Sequence, residues 1–338
     1  MILAMQPFYS DYQIVATLGP SSGAEATWRG MLSAGVTGFR LNTSHLSIPQ
    51  LQVWLERLAP FLAASTPRPP LVLDLQGSKW RLGQFPGCTL AAGQRVRLVC
   101  APASGEPDVL PVPHPDFFRA APVSSGEIAL NDAKLRLRVE SLEAQAIGAR
   151  VEQGGAVLSR KGITYTQSPY RQESLNDTDR AVLECTQRLH GIRYALSYVK
   201  DAAEMAHYRR QIGRSAFLIA KLERQPALDE ATQIAESSDE VWVCRGDLGA
   251  ELGPRAMAAA VYRLSECLQG LRVPVLLAGQ VLEHMAEHAT PTRSEVCVMH
   301  DALLKGYQGF VLSDETAIGR DPVASCRVAA MFRPQAEP

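Results

Sequence analysis

No stretch of the 338-residue chain approaches the roughly 20 apolar residues of a membrane-spanning helix, and residues 1–12 lack the basic and apolar regions of a secretory leader. Neither a membrane partner nor a targeting signal is expected. Charge of one sign is not in excess, with 34 Lys and Arg against 35 Asp and Glu, so nothing in the total attracts nucleic acid or an anionic surface. The seven cysteines include no C-x-x-C pair, which argues against a disulfide framework and suits a reducing, cytoplasmic compartment. Internal repeats and low-complexity tracts are missing too. These absences fit a soluble chain with a small-molecule partner.

What is present is a βα rhythm. Short runs rich in Val, Ile and Leu recur at Gln13 to Gly19, Gly38 to Asn42, Pro70 to Asp74, Tyr194 to Val199, Phe217 to Glu223, Glu240 to Cys244, Val273 to Ala278 and Gly309 to Ser313. Most precede an amphipathic, helix-like segment. Nearly continuous apolar character implies parallel strands covered on both faces, and eight such units favour closure into a (β/α)8 TIM barrel of the α/β class. An open doubly wound sheet is the alternative. Residues 84–172 differ in texture, with Pro86, Pro102, Pro107, Pro111, Pro113 and Pro115 among alternating segments such as Arg95 to Val99. They read as an all-β module inserted after the third strand, with the barrel over 1–83 and 173–338.

Catalytic groups of such barrels gather where strands run out into βα loops. Those points are polar here: Arg40, Asn42, Ser44 and His45 follow the second strand, Asp74, Lys79 and Arg81 the third, Lys221 and Glu223 end the fifth, Arg245 and Asp247 the sixth, Ser313 and Glu315 the eighth. The two-residue period of a strand puts Lys221 and Glu223 on one side. Asp247 is flanked by Gly246 and Gly249, and glycine lets backbone N–H groups approach an anion closely. Two carboxylates completed by substrate oxygens suit Mg2+ (or Mn2+), and Lys221 with Arg40 could neutralise a transferring phosphoryl group.

At these residues the sequence resembles the pyruvate kinase family. The resembling segments are Ile14-Val-Ala-Thr-Leu-Gly-Pro-Ser-Ser22, Arg40-Leu-Asn-Thr-Ser-His45, Leu73-Asp-Leu-Gln-Gly77 with Arg81, Gly154-Gly-Ala-Val-Leu-Ser-Arg-Lys-Gly162, Ile219-Ala-Lys-Leu-Glu223, Arg245-Gly-Asp-Leu-Gly249, Pro291-Thr-Arg-Ser-Glu295 and Leu312-Ser-Asp-Glu-Thr-Ala317, in family order along nearly the whole chain. The resemblance implies a barrel with a mobile β lid, transferring phosphate between phosphoenolpyruvate and a nucleotide. Glu223 and Asp247 would hold the divalent metal, and Lys221 would stabilise the phosphoryl group in flight. Arg40 and Arg81 would contact phosphates, and Lys161 would reach the nucleotide from the lid. The N–H groups of Gly246 and Asp247 would receive the substrate carboxylate, with Asn42 and His45 also on the substrate side. Ser313 and Glu315 match groups near the route of protonation, and Asn42, Ser44 and Asp74 match positions around a monovalent cation.

The departures are as informative. Lys79 stands where potassium-dependent members carry glutamate, so its ammonium would replace K+ and no monovalent cation would be required. Gly279 lacks the hydroxyl of a family threonine that touches the substrate carboxylate. Val298-Met-His-Asp301 replaces a polar family segment, and Leu46 to Gln50 do not keep the family's pattern near the adenine. The chain stops at Pro338, so the family's C-terminal domain is expected to be missing, sugar-phosphate regulation is not expected, and a homo-oligomer stays open. Two other readings are a related phosphotransferase acting on a different small metabolite, and a non-catalytic sensor of phosphoenolpyruvate or nucleotide. His284-Met-Ala-Glu-His288 matches a zinc-peptidase pattern, and Arg245-Gly-Asp247 an adhesion tripeptide. The first lies directly after the seventh strand, on a family helix with no zinc role, and nothing suggests the secretion that the second would need.

Overall fold

Eight parallel strands close into one barrel in the computed structural model, which describes residues 11–77, 80–120, 126–131, 134–165 and 175–333. They are β1 (Gln13–Thr17), β2 (Gly38–Asn42), β3 (Leu71–Leu75), β4 (Ile192–Leu196), β5 (Phe217–Leu222), β6 (Glu240–Cys244), β7 (Val275–Ala278) and β8 (Gly309–Leu312). Each pairs with its sequence neighbour, and β1 pairs with β8 to seal the cylinder. The barrel was expected because the eight runs are nearly continuously apolar; Gly38–Asn42 and Glu240–Cys244 keep the expected ends, and the others differ at one or both ends by one to three residues, most at the fourth strand, which stops at Leu196. Helices cover the outside, several with ordinary start signals. Asn176 caps Asp177–Thr186 by accepting from the Asp179 N–H, and Thr292 with Glu295 forms a capping box on Arg293–Lys305.

Side-chain alternation fills the barrel in layers. Val15, Val72, Ala195, Ile219, Trp242, Leu276 and Val311 form a buried apolar cluster inside it. Two residues further along four of these strands stand Thr17, Asp74, Ser197 and Lys221. One period of the pleat therefore converts an apolar plug into a polar floor at the strands' C-terminal ends.

The chain divides into two compact units, the barrel and a second unit of Gly77–Ser174 with Gly246–Ala259. Among the described residues the second unit contains a six-stranded sheet, a two-stranded sheet of Cys88–Leu90 with Gly155–Val157, the short helix Pro115–Ala120 and, over Gly246–Ala259, part of the helix Arg245–Ser265. Its own core includes Leu98, Leu110, Phe117, Ile128, Leu137, Ile147 and Val151.

Candidate active site

Within the barrel unit the polar floor is a continuous run of charge pairs. The Lys221 ammonium lies 3.1 Å from Asp74 Oδ2, 3.0 Å from Glu223 Oε1 and 2.9 Å from the Ser197 hydroxyl. Arg40 reaches the same Asp74 from the other side, donating from Nε at 2.8 Å and from Nη2, while its Nη1 donates to Thr17 Oγ1 at 2.8 Å. Thr17 in turn donates to the Leu312 carbonyl at 2.6 Å. Register explains the convergence: Thr17 sits opposite Arg40, Asn42 opposite Asp74, and Asp74 opposite Ala195. All four charged side chains are nearly inaccessible, so their pairing is what makes their burial tolerable.

The titration of these groups follows from that arrangement. Burial alone pushes the Asp74 carboxyl up, but Lys221 and Arg40 overcome it and hold the group at about 2. Burial works against the Lys221 ammonium, yet Asp74 and Glu223 raise its pKa above the ordinary lysine value. Lys221 is therefore a permanent cation whose charge is shared by two carboxylates.

Glu315 belongs to a second polar group on the barrel unit. Its Oε2 accepts from the Ser313 N–H at 3.0 Å and its Oε1 from the Leu282 N–H at 3.3 Å, tying the loops after β8 and β7 together. Burial pushes this carboxyl up to about 7 against the pull of both amides. The folded chain thus holds a proton that the unfolded chain has released between pH ~4.5 and ~7, and the group costs stability as pH rises through that window, by about 3 kcal/mol in all. In urea unfolding, the stability of Glu315→Gln relative to wild type should climb by about that amount between pH 5 and pH 8. A difference constant with pH would mean that Glu315 does not titrate there.

Gly279 lies in the left-handed region at φ 78, followed by Gln280 at φ 53. Arg245 holds this turn, donating to the Gly279 carbonyl from Nε at 3.0 Å and to the Gln280 carbonyl from Nη2 at 2.8 Å. A β-branched residue resists that backbone. The absent hydroxyl therefore belongs to a loop conformation that favours glycine.

The remaining expected residues are placed as follows. Asn42 accepts from the Ser44 N–H at 3.1 Å, Ser44 is buried and His45 is exposed. Arg81 and Lys161 lie in the second unit, where Arg81 pairs with Gly162 in an isolated bridge and the Lys161 carbonyl accepts from the Leu82 N–H at 2.9 Å. Gly246 and Asp247 occupy the first turn of the helix Arg245–Ser265, which breaks at Gly253, and first-turn N–H groups are natural anion donors. Lys79 lies outside the described residues. His284 and His288 stack face to face at 3.7 Å, with their Nδ1 atoms directed at the carbonyls of Thr290 and His284. Parallel stacked rings do not converge on a metal, and among the described residues no group of three or more His, Cys, Asp and Glu could hold one.

Sequence reasoning overlooked Thr17, Ser197 and Tyr198. Tyr198 is found through its backbone, since it has φ 61 and its N–H donates to Glu223 Oε2 at 2.7 Å. No residue-type signal marks that contact. The signal for Ser197 and Thr17 was available as the two-residue step beyond the apolar layer.

Fold and site together define a (β/α)8 barrel with buried, paired charges at the C-terminal ends of its strands and an inserted β unit. The model of the pyruvate kinase barrel domain matches residues 9–326, and the chain belongs to the pyruvate kinase family. It is 33% identical over 313 residues to a pyruvate kinase of Methylorubrum extorquens, covering 92% of this chain but 65% of that protein. A pyruvate kinase of Mycobacterium tuberculosis is 32% identical over 320 residues, with 93% and 68% covered. The chain thus spans about two thirds of the length of these relatives. The crystal structure of a pyruvate kinase from Cryptosporidium parvum superposes with a TM-score of 0.80 at 24% identity, over 95% of this chain and 68% of that one, and supports the fold.

Proposed function

We propose that the chain transfers a phosphoryl group between phosphoenolpyruvate and ADP, with Mg2+ (or Mn2+) and without K+, as a cytoplasmic enzyme placed in glycolysis. The observation that carries the reading is the Lys221 ammonium, buried between Asp74 and Glu223 with Arg40 on the far side of Asp74. Two fixed cations flanking one carboxylate suit an anionic phosphoryl group in transfer, and at rest their charge is cancelled locally. Glu223 and Asp247 are the proposed metal ligands. Both are hard oxygen donors, and Glu223 retains lone pairs after its bonds to Lys221 and Tyr198, which suits Mg2+ with its preference for few protein ligands. When bound, the ion supplies positive charge that polarises the phosphoryl oxygens.

The chain's own residues do the rest. Lys221 and Arg40 are held against rotation by Asp74, so they meet the phosphoryl group without reorganisation. A Cβ on Gly246 would meet nothing within 4 Å, so glycine there serves approach to the backbone of the helix start, where Gly246 and Asp247 would receive the substrate carboxylate. Arg81 and Lys161 are the proposed phosphate contacts of the second unit, with Asn42 and His45 on the substrate side. Ser313, fixed by Glu315, is assigned to the route of protonation.

Independence from K+ rests on Lys79 and on the local neutrality around Asp74, whose carboxylate is already shared by two cations. In a lactate-dehydrogenase-coupled assay with ADP, phosphoenolpyruvate and Mg2+, the rate should be the same in K+ and in tetramethylammonium at constant ionic strength. A steep rise with K+ removes that element, and no pyruvate at all removes the reaction. The left-handed turn at Gly279 favours a second reading, a phosphotransferase with a different small acceptor, because the loop is shaped for a pocket without that hydroxyl.

A further inference from the structure

We infer that Tyr198 and Arg224 are positioning residues that hold the Glu223 carboxylate in one orientation for a divalent ion; the inference rests on the assignment of Glu223 as a metal ligand. Glu223 is 2% exposed, and its two oxygens have different anchors. Oε1 lies 3.0 Å from Lys221 Nζ, and Oε2 accepts from the Tyr198 N–H at 2.7 Å. Rotating the carboxylate breaks one anchor or the other, so the lone pairs left for a cation have a fixed direction. Lys221 is shared with Asp74 and Ser197, whereas the Tyr198 amide makes this bond from an unusual backbone.

That backbone needs an explanation, because a bulky side chain at φ 61 is disfavoured and persists only where its surroundings impose it. Arg224 supplies the constraint. Its guanidinium carbon lies 4.3 Å from the centroid of the Tyr198 ring, and the residue is 3% exposed, so the cation stacks on the ring away from water. Arg224 directly follows Glu223 in the chain. Tyr198 and the 223–224 segment are therefore tied twice, once from backbone amide to carboxylate and once from ring to guanidinium, and a shift of either tie moves the carboxylate.

The segment beyond Tyr198 is pinned as well. Asp201 caps the helix Ala202–Ile212 by accepting from the Glu204 N–H at 2.8 Å, and Glu204 Oε2 accepts from the Lys200 N–H at 2.5 Å. The Tyr208 hydroxyl donates to Glu204 Oε1 at 3.3 Å. Glu204 is charge-coupled to Arg224. The arrangement transmits the position of a helix start to one carboxylate through a stacked pair.

The test is direct binding of Mn2+ to the chain, read from the electron paramagnetic resonance signal of the free ion, without turnover. Partners that orient a ligand typically carry roughly 10- to 100-fold in metal affinity. Arg224→Leu and Tyr198→Leu should each weaken Mn2+ binding by about tenfold or more, whereas Arg224→Lys and Tyr198→Phe, which keep a cation and a ring, should recover most of it. Thermal midpoints of the same proteins identify any variant that fails to fold, and the Arg224→Leu and Arg224→Lys pair decides the matter if Tyr198→Leu does not. Mn2+ affinity unchanged in folded Arg224→Leu overturns the positioning role while leaving the metal site standing. A wild-type chain that binds no Mn2+ overturns both.

Discussion

Lys221→Met should cut pyruvate formation steeply while leaving a folded, less stable barrel. The loss in kcat should be about a thousandfold, the scale set by deleting one preorganised donor from a water-excluded site. Methionine keeps the length of the side chain, so packing changes little. Charge does not survive: Asp74 retains Arg40, but Glu223 loses the ammonium beside it and keeps the Tyr198 amide. Breaking a buried pair costs about 3–5 kcal/mol, and the lower end is expected because Glu223 keeps its hydrogen bond from the Tyr198 N–H. Coupled assays and urea unfolding measure the two losses separately. A variant that still makes pyruvate at about a tenth of the wild-type rate, far above the loss set by that donor, would remove Lys221 from the phosphoryl site.

Asp74→Asn should have the other large effect, and it should be legible in acid. Asp74 is held at about 2, below its ordinary 3.8. Its sign is therefore that of a depressed carboxylate, with stability fully present above pH ~4 and lost as pH falls toward ~2, by about 2 kcal/mol. The substituted amide would be uncharged at every pH, so the variant should lack this step while being about 3 kcal/mol less stable than wild type at pH 7. The four paired groups would also pass from neutral to one net positive charge, and divalent-ion affinity should fall. Parallel acid-unfolding curves for the two proteins would show that Asp74 is not the group that Lys221 and Arg40 hold ionised.

Much of this site was legible in the sequence because alternation along a strand is a strong constraint. Lys221 and Glu223 had to share a side, and their 3.0 Å contact follows from that. Arg40 and Asp74 were each marked as strand-end residues, but one was assigned to phosphate and the other to the surroundings of a monovalent cation. Their mutual pairing depends on the register of β2 on β3, which no single strand encodes. The Tyr198 amide was invisible for another reason: residue type carries no record of a backbone donor, and a tyrosine gives no warning of φ 61. Gly279 did give a warning. Its glycine was read as a missing hydroxyl, whereas the turn held by Arg245 also explains why a small residue is kept there.

The hydrogen bond from Thr17 to the Leu312 carbonyl, which closes the polar floor between β1 and β8, can form only when both ends of the barrel sequence have been made. Residues 17 and 312 are 295 positions apart, and at about 5–20 residues per second a ribosome takes roughly 15–60 s to travel between them. Through that interval Arg40 has its threonine without the strand that anchors it, and β1 has an open edge. A nascent fragment carrying Lys221, Glu223 and Asp247 therefore holds most of the charged residues but no sealed cylinder to fix them. Closure arrives as one late event, once β8 has emerged, and translation products broken off before it lack the sealed cylinder.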